Sequence, residues 1–113
     1  MTEADIQNSI RLAISNGPIR LWRNTVGNYE LKDGRRIRAG LATGSPDLIG
    51  FKSVYVSPDM IGKRVALFAG VEVKSESGRL HPEQERFLQM LAEAGAISGV
   101  ARSVEDAKRV MGV

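Results

Sequence analysis

Asp47, Glu72 and Lys74 are the residues whose types and spacing can do chemistry. Glu72 and Lys74 lie two apart in the apolar run Gly70-Val71-Glu72-Val73-Lys74. Side chains two apart on a strand share a face. The carboxylate and the ammonium would therefore project side by side, with Val71 and Val73 turned the other way into a core. Charges set in such a run need a partner or a metal, because an unpaired buried charge is costly. Asp47, just after the Gly44-Ser45-Pro46 turn, offers a second carboxylate.

If the strands carrying Asp47 and Glu72 pair, both carboxylates converge at one end of a sheet. Such oxygen donors suit a hard cation, Mg²⁺ or Mn²⁺, which keeps waters and binds through one or two carboxylates plus substrate phosphate. The backbone carbonyl of Val73 lies between the two charged positions and offers a further ligand. Lys74 would orient or deprotonate an attacking water, or stabilise charge developing on a phosphate. Together these groups suit metal-assisted phosphodiester hydrolysis. Each also has a plainer reading: Asp47 as a turn residue, and Glu72 with Lys74 as a surface pair on an edge strand. A thiolate metal site is excluded, since the chain has no cysteine and a single histidine.

The elements that must position these residues can be read from local pattern. Residues 2–15 form an amphipathic helix, with Thr2 and Asp5 as a capping box and Ile6, Ile10, Ala13 and Ile14 at helical spacing. Glu3 sits at the upper end of its apolar face, either as a first-turn acid favoured by the helix dipole or as a carboxylate aimed at a site. Residues 19–26 read as a strand. A polar, glycine-rich stretch follows, over residues 27–46. Within it Tyr29-Glu30-Leu31 and Arg36-Ile37-Arg38 flank Lys32-Asp33-Gly34-Arg35, a hairpin signal. Arg23, Lys32, Arg35, Arg36 and Arg38 make this a basic hairpin or flap and are candidates for phosphate contacts, which give affinity without sequence information.

Residues 47–56 and 64–74 read as two strands, expected to pair antiparallel. Residues 75–80 form a polar turn. Residues 82–94 are the clearest helix, with Pro82 at its first position, Glu83 and Glu85 in its first turn and Gly95 past its end. Gln84 shares a face with Phe87, Leu88, Leu91 and Ala94, where an apolar residue would be usual, so a polar group turns inward near the Lys74 strand. Its alternative is a capping role at the helix start. His81 is expected to be a local cap or surface group, with a catalytic role as the lesser alternative, since Lys74 already offers a candidate. Residues 97–101 read as a short strand, and Ser103 with Asp106 caps a last helix ending near Gly112. The order is α-β-(loop)-β-β-α-β-α, an α/β sandwich with a mixed sheet in a single domain over residues 1–113.

The whole chain is consistent with this. Its 113 residues, 42% hydrophobic and 26% charged, suffice for one modest domain with a single core. No apolar run approaches the ~20 residues of a membrane-spanning helix, and the acidic start, Met1-Thr2-Glu3-Ala4-Asp5, lacks the basic opening of a signal peptide. An intracellular soluble protein is the expectation. A formal charge of +3 is compatible with a polyanionic partner and does not by itself imply one.

Ser45-Pro46-Asp47 followed by Glu72-Val73-Lys74 resembles the PD-(D/E)XK nuclease motif. Its surroundings are more specific: Arg23-Asn24-Thr25-Val26-Gly27, Gly44 to Gly50, Glu72 to Ser75, Gly78-Arg79-Leu80-His81-Pro82-Glu83-Gln84 and Gly95-Ala96 together resemble the VRR-NUC family. The resemblance runs from Glu3 to about Asp106, and is to the stand-alone form of phages and bacteria. It implies a restriction-endonuclease-like fold and DNA cleavage dependent on Mg²⁺ or Mn²⁺. By matching position it implies Asp47 and Glu72 as metal ligands with the Val73 carbonyl, and Lys74 as the catalytic lysine. Glu3 would match the acid of the first helix and reach the metal through water; Gln84 would match the family's glutamine, and Ser75 would adjoin DNA. It further implies a homodimer acting on branched DNA such as Holliday junctions, in the cytoplasm of a bacterial or phage-infected cell.

Three other functions compete with a junction endonuclease: a flap or nicking nuclease, a non-catalytic DNA-binding module on the same fold, and a small cation-binding regulator. The intact Asp47, Glu72 and Lys74 set argues against the module, and the basic loop against the regulator. Arg102, which follows Val100-Ala101, has no role readable from the sequence.

Overall fold

A computed structural model describes residues 2–113. The chain divides into two compact units, one ending at Lys52 and one running from Ser53 to Val113. The arrangement is mixed α/β and compatible with a restriction-endonuclease-like fold.

The first unit starts with helix α1 (Glu3–Ile14). Thr2 caps it as the sequence predicts: its hydroxyl accepts from the Asp5 N–H and the Asp5 carboxylate accepts from the Thr2 N–H. Helix α1 lies along strand β1 (Ile19–Arg23), tied to it where the Leu21 N–H donates to Ser15 Oγ at 2.8 Å. The hairpin β2 (Gly27–Glu30) and β3 (Arg36–Ala39) forms as expected, antiparallel, with Tyr29 opposite Ile37. Its turn closes through the Leu31 N–H to the Arg35 carbonyl at 2.7 Å, and Gly34 takes φ +86° there.

Strand β4 (Leu48–Lys52) pairs antiparallel with β1, Leu21 opposite Gly50. The fit is tight: a Cβ on Gly50 would lie 1.7 Å from the Arg20 carbonyl oxygen. Trp22 and Phe51 meet with ring centroids 5.8 Å apart.

The second unit holds a short 3-10 turn (Pro58–Met60), strand β5 (Ala69–Val73), helix α2 (Pro82–Glu93), strand β6 (Ile97–Ala101) and helix α3 (Val104–Met111). Strands β5 and β6 run parallel, Val71 opposite Gly99, with α2 as the crossover that parallel strands require. The two helices take opposite faces of this ladder. A Cβ on Gly70 would meet Leu91 of α2, and one on Gly99 would meet Val110 of α3, each at 2.7 Å. Leu91 is the most deeply buried large side chain, at 1% exposure. The termini of α3 follow sequence rules: Ser103 accepts from the Asp106 N–H, and Gly112 closes the helix in a left-handed conformation.

Three expectations need correction. The strand read over 19–26 ends at Arg23, because Asn24 turns its amide to the loops instead. The strands read over 47–56 and 64–74 are shorter, and their antiparallel pairing is replaced by two other ladders, β4 with β1 and β5 with β6. Val73 does not enter a core. It is 73% exposed, since it is the last residue of a strand in a two-stranded ladder while the helices cover the strand nearer its middle.

Candidate active site

In the second unit, β5 alternation sets Gly70, Glu72 and Lys74 on the face that α2 covers. The charged pair anticipated from spacing forms there: Lys74 Nζ lies 3.7 Å from Glu72 Oε1. The lysine side chain is only 14% exposed and the glutamate 32%, so the pair is partly removed from solvent. Gln84 joins it. Its Nε2 donates to Glu72 Oε1 at 2.9 Å, and its Oε1 accepts from the His81 N–H at 3.0 Å.

Gln84 thus turns inward to Glu72 and caps the helix at once, because one amide has a donor end and an acceptor end. The acceptor end caps α2, and this fixes which end faces Glu72. His81 occupies the N-cap position, in an exposed setting. Glu72, Glu83, Gln84, Phe87 and Leu88 line a cavity of about 310 Å³. Phe87 and Leu88 of α2 supply its apolar lining.

In the first unit Asp47 stands one residue before β4, exposed. Glu3 and Asp47 line the same cavity of about 380 Å³, with Ile6, Gln7, Ile10, Pro46 and Leu48. The first-helix acid and the turn acid are therefore brought to one opening.

Asn24 holds this turn in place, a role its sequence neighbourhood does not reveal. It is the buried polar residue of the unit, 8% exposed. Its Nδ2 donates to Ser45 Oγ at 2.7 Å and to the Pro46 carbonyl at 2.8 Å, while its Oδ1 accepts from the Leu41 N–H at 2.9 Å. Its own N–H donates to the Asp47 carbonyl at 2.8 Å. Asn24 thus ties the end of β1 to the two residues before Asp47 and to Asp47 itself. The available signal was a short amide residue at a strand end, followed by Thr25-Val26-Gly27.

The basic candidates fall into distinct settings. Arg36 and Arg38 share one hairpin face, opposite Glu30 and Asn28, while Tyr29 and Ile37 form the other face. Arg38 also bonds the Thr43 hydroxyl. Arg35 pairs with Asp33 at 2.7 Å, with both side chains well exposed. Arg23 and Lys32 are exposed, as is Ser75 in the turn after Lys74.

Among the described residues, no three histidine, aspartate or glutamate side chains gather as a metal cluster. A hard cation does not need one. The donor chemistry fits Mg²⁺ or Mn²⁺, because carboxylate oxygens from one or two residues suffice when water and phosphate complete the shell.

The VRR-NUC domain model matches residues 20–105. No curated protein and no solved structure matches the chain. The matched span includes Asp47, Glu72, Lys74 and Gln84, and it covers most of the 113 residues. The chain therefore belongs to the VRR-NUC family, nucleases of the PD-(D/E)XK type.

Proposed function

We propose that this protein is a divalent-metal-dependent, structure-selective DNA endonuclease that cuts branched DNA, such as four-way junctions, as a homodimer. The observation that carries the reading is the Glu72 carboxylate, held between the Gln84 amide and the Lys74 ammonium beside an open cavity. Family membership supports nuclease activity; the metal, the branched substrate and the dimer go a step further. A dimer follows a physical logic, since paired symmetric incision needs two sites related by a twofold axis.

Residues 1–113 work in this reading as one nuclease domain. In this reading Asp47 and Glu72 would hold Mg²⁺ or Mn²⁺ with the Val73 carbonyl, and Glu3 would contribute through water. When bound, the cation supplies Lewis-acid stabilisation of charge on the scissile phosphate. Lys74 orients the attacking water and offsets charge on the phosphoryl oxygens. Gln84 keeps the Glu72 carboxylate in one orientation, so no reorganisation is needed as the phosphate enters. Water adds to phosphorus, the bond to the leaving sugar oxygen breaks, and the products are a phosphate end and a hydroxyl end. Arg23, Lys32, Arg35, Arg36, Arg38 and Ser75 contact the DNA backbone.

The test compares labelled four-way junction, flap and linear duplex, each with and without Mg²⁺ or Mn²⁺, for the natural protein and for Glu72→Gln and Lys74→Ala. The expected result is metal-dependent cleavage that both substitutions abolish, with paired symmetric incisions in the junction. Cleavage that survives Lys74→Ala removes the catalytic assignment. Flap cleavage without junction cleavage replaces the junction reading by a flap or nicking nuclease, and binding without any cleavage by a DNA-binding module.

A further inference from the structure

Arg102 lies just beyond β6 and has no part in the chemistry described above. Its Nη1 donates to the carbonyl of Ser75 at 2.6 Å and to that of Gly78 at 2.7 Å, with the Glu76 carbonyl at 3.4 Å. One cationic nitrogen thus gathers the carbonyls of the turn that follows Lys74. Arg102 is itself anchored, because its N–H donates to Asp106 Oδ2 at 2.9 Å at the start of α3. The residue before it completes the arrangement: the Ala101 carbonyl accepts from the Lys74 N–H at 3.1 Å. Two successive residues at the end of β6 therefore grip two successive residues at the end of β5.

We propose that Arg102 is a positioning residue for Lys74, locking the Ser75–Gly78 turn so that the lysine leaves β5 in one fixed direction. The ladder bond from Ala101 fixes the backbone on the N-terminal side of Lys74. Among the described residues, the backbone bond on the C-terminal side is that from the Gly78 N–H to the Ser75 carbonyl at 3.1 Å. That bond lies within the turn and does not tie it to the sheet. Displacing a reacting group by about 1 Å can cost on the order of 100-fold in rate, so a loosened turn would be read in the chemical step.

The inference rests on the catalytic assignment of Lys74, and the experiment separates the two. Single-turnover cleavage at saturating branched DNA is measured for the natural protein, Lys74→Ala, Arg102→Ala and Arg102→Lys. DNA affinity is measured without metal, and folding by thermal melting. Arg102→Ala is expected to lower the saturating rate by roughly 10- to 100-fold, with affinity within twofold. Arg102→Lys should recover part of that loss, since an ammonium also offers donors to the three carbonyls. A wild-type rate in Arg102→Ala overturns the proposal. So does a loss confined to affinity, which would make Arg102 a phosphate contact. If Arg102→Ala does not fold, Arg102→Gln is judged by the same criteria. Full activity in Lys74→Ala removes the site reading itself; an inactive Lys74→Ala beside a fully active Arg102→Ala removes only this inference.

Discussion

Replacing Asn24 with alanine tests how the turn carrying Asp47 is held. Asn24 is 8% exposed, and its side chain makes three hydrogen bonds of 2.7–2.9 Å, to Ser45, Pro46 and Leu41. Each such bond contributes about 0.5–1.5 kcal/mol net, and stranded partners add a desolvation cost. Asn24→Ala strands the Leu41 N–H and the Pro46 carbonyl, both in part-buried bonds. The expected loss is about 2–4 kcal/mol, read by urea denaturation as a lower midpoint at unchanged slope.

Asn24→Asp sharpens the test. It keeps the acceptor for Leu41 but turns a second oxygen toward the Pro46 carbonyl, replacing a donor with a repelling acceptor. It should therefore destabilise at least as much as alanine, despite its closer shape. Both variants should also lose cleavage activity, because the turn that sets Asp47 is released. A loss below about 0.5 kcal/mol for Asn24→Ala, within the range of ordinary surface substitutions, or a stable Asn24→Asp, would refute this account.

Gly50→Ala should destabilise by at least ~2 kcal/mol, since its Cβ meets the Arg20 backbone oxygen at 1.7 Å; Gly70→Ala should cost less, since its Cβ meets only the end of the Leu91 side chain at 2.7 Å. Equal midpoints for the two variants would contradict that ranking. Removing Arg36 and Arg38 together should make the dependence of log affinity on log salt shallower by about 2, roughly 0.9 for each phosphate no longer neutralised. Arg35→Ala should change the slope less, because Arg35 is paired with Asp33; the readout is DNA affinity across a salt series. Acidification should loosen α3. The Arg102 backbone N–H, aided by Arg109 and Ser103, holds the Asp106 carboxyl below the ordinary carboxylate range. A depressed folded value means stability that is present above that range and lost as pH falls through the folded value. The melting temperature of the natural protein should therefore fall more steeply than that of Asp106→Asn below about pH 4; parallel curves would contradict this.

What was legible in the sequence was what neighbours along the chain decide. Thr2 with Asp5, Pro82 and Ser103 with Asp106 mark helix starts because a cap needs only residues three or four positions away. Asp33-Gly34 marks the hairpin because a tight turn is closed locally. Period-two alternation set Glu72 and Lys74 on one face, and that pairing is a property of a strand wherever it lies. The family was also legible, because its motifs are strings of residues.

Strand partners were not legible. Nothing local distinguishes β1 from β5 as the neighbour of β4, and the choice depends on contacts such as Gly50 against the Arg20 backbone. The exposure of Val73 was missed for the same reason: alternation says which way a side chain points, and only the covering helices say whether anything is there. Asn24 and Arg102 were invisible as positioning residues because their hydrogen-bond partners lie 17–27 residues away. The sequence by itself singled out the candidate groups for the chemistry: the carboxylates of Asp47 and Glu72 and the ammonium of Lys74. Only the tertiary structure decided what holds them still, because orienting a side chain takes hydrogen bonds and packing from chain segments that folding alone brings alongside.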